Sequence, residues 1–541
     1  MKFSTLLIGL DGATFEVLDP LMDAGVMPHL KRLIDRGARA TLMSTVPALT
    51  PPAWTSLVTG HGPGTHGIFD FFRKDAPSSQ HFGLLTSRDV DAPSIWSLAT
   101  EAGLQSTVLN FPLTFPPPRI RGHVLPGGFM PWRQMRLGCH PAELFDRFRE
   151  LPGFNPRELA LDMSHEAKAI EGCAEEEYES WIDMHIRRER QWVEILRYLR
   201  REDPSDFTAV LFDGVDKIQH LCWRFLDPAW SASLTSAWDL RIREKVREYF
   251  AELDVLIGQM VDLFPDDTTI VIASDHGFGP QVRTFFVNSW LAQKGYLAWQ
   301  DRERPADAPA TSLGLGQLAR HVYQLDWSCT RAFAPLPSGN GIHIVRQDEA
   351  HPGGVPEQEY SRFREQIATQ LKELVDPESG EKVVKAVWTR DEIFKGPNLE
   401  LAPDLTLELQ DGGLISILNS QHSVRTRPFP AGTHRPQGVL ALSGPGIRQG
   451  VQLEAMSILD VAPLMLFSLD LPLSSDLEGR LTSEMFQPEA LAQRPPRWAD
   501  PATVTGSRDR EQSIAAPGEA TLDAEAEAEI LKRLQALGYV E

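Results

Sequence analysis

Short apolar runs that stop at an acid or an imidazole recur along this chain. Residues 3–10 (Phe-Ser-Thr-Leu-Leu-Ile-Gly-Leu) end at Asp11-Gly12, and residues 207–212 (Phe-Thr-Ala-Val-Leu-Phe) at Asp213-Gly214-Val215-Asp216. Residues 268–274 end at Asp275-His276-Gly277, and residues 437–443 follow Gly432-Thr433-His434-Arg435. Runs of this length with little internal polarity predict strands buried on both faces. Between them the apolar spacing lengthens to a helical period. Residues 28–37 open on Pro28 and close on Gly37, and residues 180–199 carry Trp181, Ile182, Ile186, Trp192, Ile195 and Leu196. Strands alternating with helices predict an α/β fold.

Three of the four runs deliver a carboxylate at their C-terminal end, where ligands gather in open α/β sheets. Each acid alone reads as a cap or a turn; the recurrence points to one shared site. Adjacent strand residues face opposite ways, so Asp275 and His276 can serve one ion only if the strand stops there, and Gly277 permits that exit. Asp216 and His220 are four apart and share a helix face. Carboxylates and neutral imidazoles suit divalent metals. Asp11, Asp216, His220, Asp275, His276 and His434 are therefore the candidate ligands.

Thr50 precedes Pro51-Pro52 and a helical stretch ending at Gly60. It reads either as an N-cap or as a hydroxyl presented at a helix N-terminus, whose free N–H groups and dipole favour an anion. Metal coordination would lower its pKa enough to make it a nucleophile.

Composition narrows the partners. With 53 Lys+Arg against 74 Asp+Glu the net charge is −21 over 541 residues, which predicts no nucleic-acid-binding surface. Four scattered cysteines without CxxC spacing predict reduced thiols and a cytoplasmic location. The first apolar run is too short for a signal peptide and meets an acid at once; no stretch approaches a membrane span. The expected organisation is a core over 1–280 with a helical insertion at about 116–200, then an accessory cap over 281–400. The core resumes at Asp404 and runs over 401–485, and 486–541 forms a linker and a terminal helix.

Five motifs in order, Gly9-Leu10-Asp11-Gly12, Thr50-Pro51-Pro52 with Leu57-Val58-Thr59-Gly60, Asp216-x-x-x-His220, Ser274-Asp275-His276-Gly277 and Gly432-Thr433-His434, resemble the alkaline phosphatase superfamily, close to its type I phosphodiesterase/nucleotide pyrophosphatase branch. The resemblance implies a three-layer sandwich with a mixed, largely parallel central sheet and an inserted accessory lobe. It implies two divalent ions, zinc or alternatively manganese, one held by Asp216, His220 and His434. The other would be held by Asp11, Asp275 and His276, with Thr50 bound to it as the attacking group. Phosphodiester or nucleotide pyrophosphate bonds would be hydrolysed through a phospho-threonine intermediate. The partner is then a small phosphorylated substrate.

The departures bear on substrate. Nucleotide pyrophosphatases of this branch place a phosphate-binding asparagine where this chain has Phe71, within Gly67-Ile68-Phe69-Asp70-Phe71. Asn110, or Arg73 with Lys74, is the candidate replacement donor. Trp54 stands where a sulfatase needs arginine, and Thr50 cannot become the aldehyde a sulfatase uses. A phosphomonoesterase or phosphomutase, with 281–400 as a lid, remains an alternative, as does a silent phospholigand-binding protein. His61 and His66 flank the nucleophile helix as turn or supporting residues.

Overall fold

All four apolar runs pair in one sheet. The computed structural model describes residues 4–74, 82–162, 165–166, 168–169, 172–300, 325–336 and 338–501. In chain order the strands that matter are Thr5–Leu10 (β1), Ala38–Met43 (β2), Ser106–Leu109 (β3), Gly122–Leu125 (β4), Phe207–Phe212 (β5) and Thr269–Ala273 (β6). They are followed by Gly277–Phe285 (β7), Ala332–Phe333 (β8), Gly341–Ile344 (β9), Val384–Thr389 (β10), Leu405–Leu409 (β11), Val424–Arg435 (β12) and Gln437–Ser443 (β13). The central sheet runs β2-β13-β6-β1-β5-β3-β4, with two short strands beyond β13 pairing onto β2. β6, β1, β5, β3 and β4 are parallel, whereas β13 is antiparallel to both β6 and β2. The stretch 116–200, read as a helical insertion, thus contributes the parallel edge strand β4.

Both faces of the sheet are covered. Leu6, Ile8 and Leu10 of β1 join a core with Pro28–Asp35 (α1), Tyr178–Glu202 (α3), Gly214–Leu226 (α4) and Ala237–Asp262 (α5). Leu7 points the other way, into a core shared with Thr50–Thr59 (α2). The alternation is the two-residue period of a strand, and it makes the three-layer α/β sandwich. At about 1.5–3 kcal/mol for each fully buried aliphatic side chain, β1 is a strong anchor at the centre.

A second apolar cluster belongs to the accessory lobe. Its four-stranded antiparallel sheet runs β8-β9-β11-β10, packed by Tyr360–Lys372 (α6). Leu405–Leu409 therefore lies in the lobe, and the central sheet is re-entered at Gln437 rather than at Asp404. The sequence could not separate the two because Leu-Thr-Leu-Glu-Leu suits a strand in either sheet. The lobe joins the core through a ribbon in which β7 pairs with β12, Arg435 opposite Gly277 and His434 opposite Phe278. At the other end of the chain, Pro488–Gln493 is helical and Trp498–Ala499 pairs with Leu473–Ser474, so this part wraps the core. The terminal helix expected near 524–539 lies outside the described residues, as do 301–324 of the cap segment.

Candidate metal centre

The cluster of candidate ligands stands on three neighbouring parallel strands and one antiparallel intruder. Asp11 follows β1, Asp216 lies in the first turn of α4 after β5, and Asp275 and His276 follow β6. His434 precedes β13 instead of following it. Because β13 is antiparallel, its start lies at the edge where its neighbours end, which is why a ligand ahead of the strand reaches the same place. The ribbon sets the pair: with Arg435 opposite Gly277, the rings of His276 and His434 stack at 3.7 Å.

Gly12 and Gly277 are needed for different reasons. Gly12 sits at φ 68, and a Cβ there would come within 2.8 Å of the Phe278 ring. Gly277 has no positive φ; a Cβ would lie 1.9 Å from the Gln437 carbonyl oxygen. Close backbone approach, not turn geometry, makes it glycine. Ser274 ties the same corner, its hydroxyl donating to Ala13 O and accepting from Val439 N.

All seven residues singled out as ligands or nucleophile are brought together. His276 Nε2 is 3.3 Å from Asp275 Oδ2, 3.6 Å from Asp11 Oδ1 and 3.4 Å from Thr50 Oγ1. His434 Nε2 is 3.3 Å from Asp216 Oδ1, and His220 Nε2 is 3.5 Å from the same oxygen. The donor atoms of Asp11, Asp275 and His276 converge within 4.8 Å, as do those of Asp216, His276 and His434. His276 belongs to both groups.

The hydrogen bonds show what such a cluster can hold. The Nδ1 of His220, His276 and His434 each lies against a backbone carbonyl, of Gly432, Gly277 and Ala48, at 3.0, 3.1 and 3.0 Å. A carbonyl only accepts, so each Nδ1 carries the proton and each Nε2 presents a lone pair inward. His220 Nε2 and His434 Nε2 then meet at 3.1 Å as two acceptors. The carboxylates are arranged alike. Asp11 Oδ2 accepts from Trp54 Nε1 at 3.3 Å and Asp275 Oδ1 from Gly12 N at 3.1 Å. Asp11 Oδ1, Asp275 Oδ2 and Asp216 Oδ1 are buried without a hydrogen-bond partner. Inward lone pairs and unpartnered oxygens in one buried cluster fit divalent cations.

The electrostatics agree. Burial, then the charges of Asp275 and Asp216, push the Asp11 carboxyl well up. Burial pushes Asp275 up to about 7. For Asp216 burial acts upward too, but His220, His434 and Lys217 outweigh it and hold the carboxyl down. Burial lowers His220 to about 4 and pushes His276 well below its usual value. Three carboxylates this close remain ionised together only against positive charge.

Thr50 is not an N-cap. Leu49 holds that position with extended backbone, and Thr50 is the first residue of α2. Its hydroxyl is free of capping and donates to His276 Nε2. The helix N-terminus is also poorer in donors than the sequence suggested. Pro51 and Pro52 have no N–H, and Ala53 N is already bonded to Leu49 O. Positive charge for a phosphate must come mainly from elsewhere.

Asn110 does not supply a substrate donor. It is buried at φ 64, and its Nδ2 donates to Leu211 O and Asp213 Oδ1 while Oδ1 accepts from Gly128 N. Arg73 is likewise paired, with Asp89 at 2.7 Å. Two residues near the centre have roles that the sequence did not reveal. Lys217 Nζ lies 3.9 Å from Asp216 Oδ2 and 2.6 Å from Glu166 Oε2. Trp54, one turn after Thr50 on the same helix face, orients Asp11, and that spacing was the available signal. Trp54→Phe is expected to lower kcat/KM about tenfold by loosening Asp11, the scale seen when groups behind a metal ligand are lost. Unchanged steady-state kinetics would show that the bond does not orient the carboxylate.

His66 and His61 are supports. Ile68 N donates to His66 Nδ1, so Nε2 carries the proton and donates to Ser56 Oγ at 2.9 Å; His61 Nδ1 lies 3.6 Å from Glu478. The stretch after them reaches the lobe. Ser338 Oγ donates to Asp70, and the Phe69 and Phe394 rings meet edge-on at 5.0 Å. A cavity of about 490 Å³ opens on this seam, walled by Pro47, Phe69, Phe72, Phe333, His343 and Arg390.

Comparison with known proteins places the chain among relatives. A family model described as type I phosphodiesterase / nucleotide pyrophosphatase matches residues 5–437. Among solved structures, the murine ectonucleotide pyrophosphatase/phosphodiesterase 5, in an inactive threonine-to-alanine form in complex with AMP, is similar. Its TM-score is 0.52 at 14% identity, with 90% of this chain and 100% of that chain covered. The human ectonucleotide pyrophosphatase/phosphodiesterase 5 gives 0.51 at 14% identity, with the same coverage of 90% and 100%. A phosphonoacetate hydrolase from Sinorhizobium meliloti 1021, in complex with phosphonoformate, gives 0.49 at 15% identity, covering 86% of this chain and 95% of that one.

Proposed function

Because this chain belongs to the type I phosphodiesterase/nucleotide pyrophosphatase family of the alkaline phosphatase superfamily, and so is a phosphohydrolase, we propose that it cleaves phosphodiester or pyrophosphate bonds in small phosphorylated molecules with Thr50 as nucleophile. One observation carries this reading. The Thr50 hydroxyl, released from capping, points into a buried cluster of inward-facing carboxylate oxygens and imidazole lone pairs. The family is metal-dependent, and the murine neighbour is inactive as a threonine-to-alanine form, which fits a threonine nucleophile.

In this proposal Asp216, His220 and His434 hold one divalent ion and Asp11, Asp275 and His276 the other. Bound there, the two ions would supply Lewis-acid charge to the entering and leaving oxygens and to the transferred phosphoryl group. The mixed nitrogen and oxygen donor set favours zinc, with manganese next. Thr50 Oγ1 attacks phosphorus in line, the leaving oxygen departs, and the phospho-threonine is hydrolysed in a second displacement. Trp54 and Gly12 N hold Asp11 and Asp275 in place. The three backbone carbonyls fix the imidazole rings. Lys217 adds a side-chain cation beside the centre.

Substrate choice falls to the seam with the lobe, where Phe69 and Phe72 wall the cavity. Phe71 offers no side-chain donor where nucleotide pyrophosphatases of this branch carry asparagine, which weighs against a nucleotide as the diester. Among the described residues no helix is long and apolar enough to cross a membrane. Cys139, Cys173, Cys222 and Cys329 are free thiols, which supports action in the reducing cytoplasm. The test is turnover of bis-p-nitrophenyl phosphate against p-nitrophenyl phosphate by metal-reconstituted protein. The diester is expected to give the higher kcat/KM. The reverse order would favour the monoesterase or phosphomutase reading.

A further inference from the structure

α4 carries Asp216 and His220, so the orientation of its first turn decides where two of the proposed ligands stand. The N-cap residue of α4, Asp213, makes no side-chain capping bond. Its carboxylate is pulled sideways: Oδ2 accepts from Arg188 Nη2 at 3.0 Å and Oδ1 from Asn110 Nδ2 at 3.1 Å. The capping task passes to Glu189. Its Oε1 accepts from Gly214 N at 3.0 Å and from the Tyr249 hydroxyl at 3.1 Å. Asn110 completes the set by bonding Leu211 O at the end of β5 and Gly128 N.

Every member is dry. Asn110 is 0% exposed, Glu189 1%, Arg188 2% and Asp213 4%. Residue 128 has to be glycine, since a Cβ would fall 2.8 Å from both Arg188 Nη2 and Asp213 Oδ2. Successive residues on a helix do not face the same way. Arg188 and Glu189 of α3 nevertheless take adjacent backbone positions of α4, one through the Asp213 side chain and the other through the Gly214 amide. Two directions of restraint fix both the rotation and the height of the helix start. Arg188 also compensates Asp213, whose charge acts on Asp11. Sealed charge pairs of this kind are poor sources of net stability but strong sources of geometric definition.

We propose that Arg188 and Glu189 are positioning residues for the metal centre, locking the first turn of α4 so that Asp216 and His220 meet His434. The inference rests on the proposed binding of a divalent ion by those three residues. Neither side chain touches the cluster, so both act through α4.

The test is zinc affinity of the full chain, read by competition with a chromophoric chelator, beside far-UV circular dichroism and kcat/KM on bis-p-nitrophenyl phosphate. Glu189→Leu and Arg188→Met are expected to weaken one zinc equivalent by about 10–100-fold while the helical signal is kept, with kcat/KM falling in step. Glu189→Gln retains an acceptor oxygen for Gly214 N and is expected to stay within about threefold of wild type, rescuing the effect. Should Glu189→Leu not fold, Tyr249→Phe removes only the hydroxyl donor to Glu189, and a several-fold loss of zinc affinity is expected. Folded variants with lowered Tm and unchanged zinc affinity would overturn the inference and leave a purely structural network. Wild-type protein that binds no divalent ion overturns the metal-centre reading first and this inference with it.

Discussion

Thr50→Ala is expected to lower kcat/KM on bis-p-nitrophenyl phosphate by about a thousandfold or more, while the protein keeps its fold and its metal. The size follows from the role, because removing a nucleophile removes the covalent route and leaves only binding and electrostatic help to water. The preserved fold follows from the structure. Thr50 is not the N-cap of α2, and its hydroxyl makes no capping bond that alanine would forfeit. Alanine is also the better helix former. Thr50→Ser keeps the oxygen and is expected to retain measurable turnover. Mass spectrometry of acid-quenched wild-type protein should find phosphate on Thr50 and none in the alanine variant. Wild-type rates from Thr50→Ala would rule out the covalent route.

His276→Ala is expected to be the most damaging change among the ligands. The imidazole is 0% exposed and its Nε2 reaches Asp275, Asp11 and Thr50, while its ring stacks on His434. It belongs to both convergent groups, whereas Asp11 and Asp216 each belong to one. Metal content is therefore expected to fall by at least the one equivalent that His276 would hold with Asp11 and Asp275. Turnover should drop at least about a thousandfold, since both halves of a two-cation clamp are disturbed. Asp11→Ala should cost one equivalent and leave the other. Chelation of wild-type protein should abolish turnover and lower Tm, because a ligand bound only by the folded state stabilises it by mass action. Inductively coupled plasma analysis with thermal melts checks all three. Two equivalents of metal retained by His276→Ala would exclude its place in the centre.

Much of this centre could be read before the fold was known. Asp11, Asp213, Asp216 and Asp275 announce themselves because a strand end is a local event, an apolar run meeting an acid. What required contacts distant in sequence stayed hidden. His434 was visible as a residue, but its arrival ahead of a strand makes sense only once β13 is antiparallel. Asn110 looked available as a donor because its partners, Leu211, Asp213 and Gly128, are remote or lie around a turn. Cap and presented hydroxyl stayed open for Thr50, since nothing local says that Leu49 takes the cap position. Arg188 and Glu189 were lost among the charges of a long helix, where most such residues face water.

Local pattern was enough to establish the α/β class, the strand ends, the pairing of Asp216 with His220 on one helix face, and which carboxylates and imidazoles are candidates to gather. These depend on periodicities of two and 3.6 residues and on which side chains can bind a cation. Tertiary structure alone chose the partners. It gave Leu405–Leu409 to the lobe, set His276 between two ligand groups, withdrew Asn110 from the substrate and turned Trp54 onto Asp11. Pairing and packing bring together residues hundreds of positions apart, and their energies are shared across the whole sheet, so no window of sequence contains them.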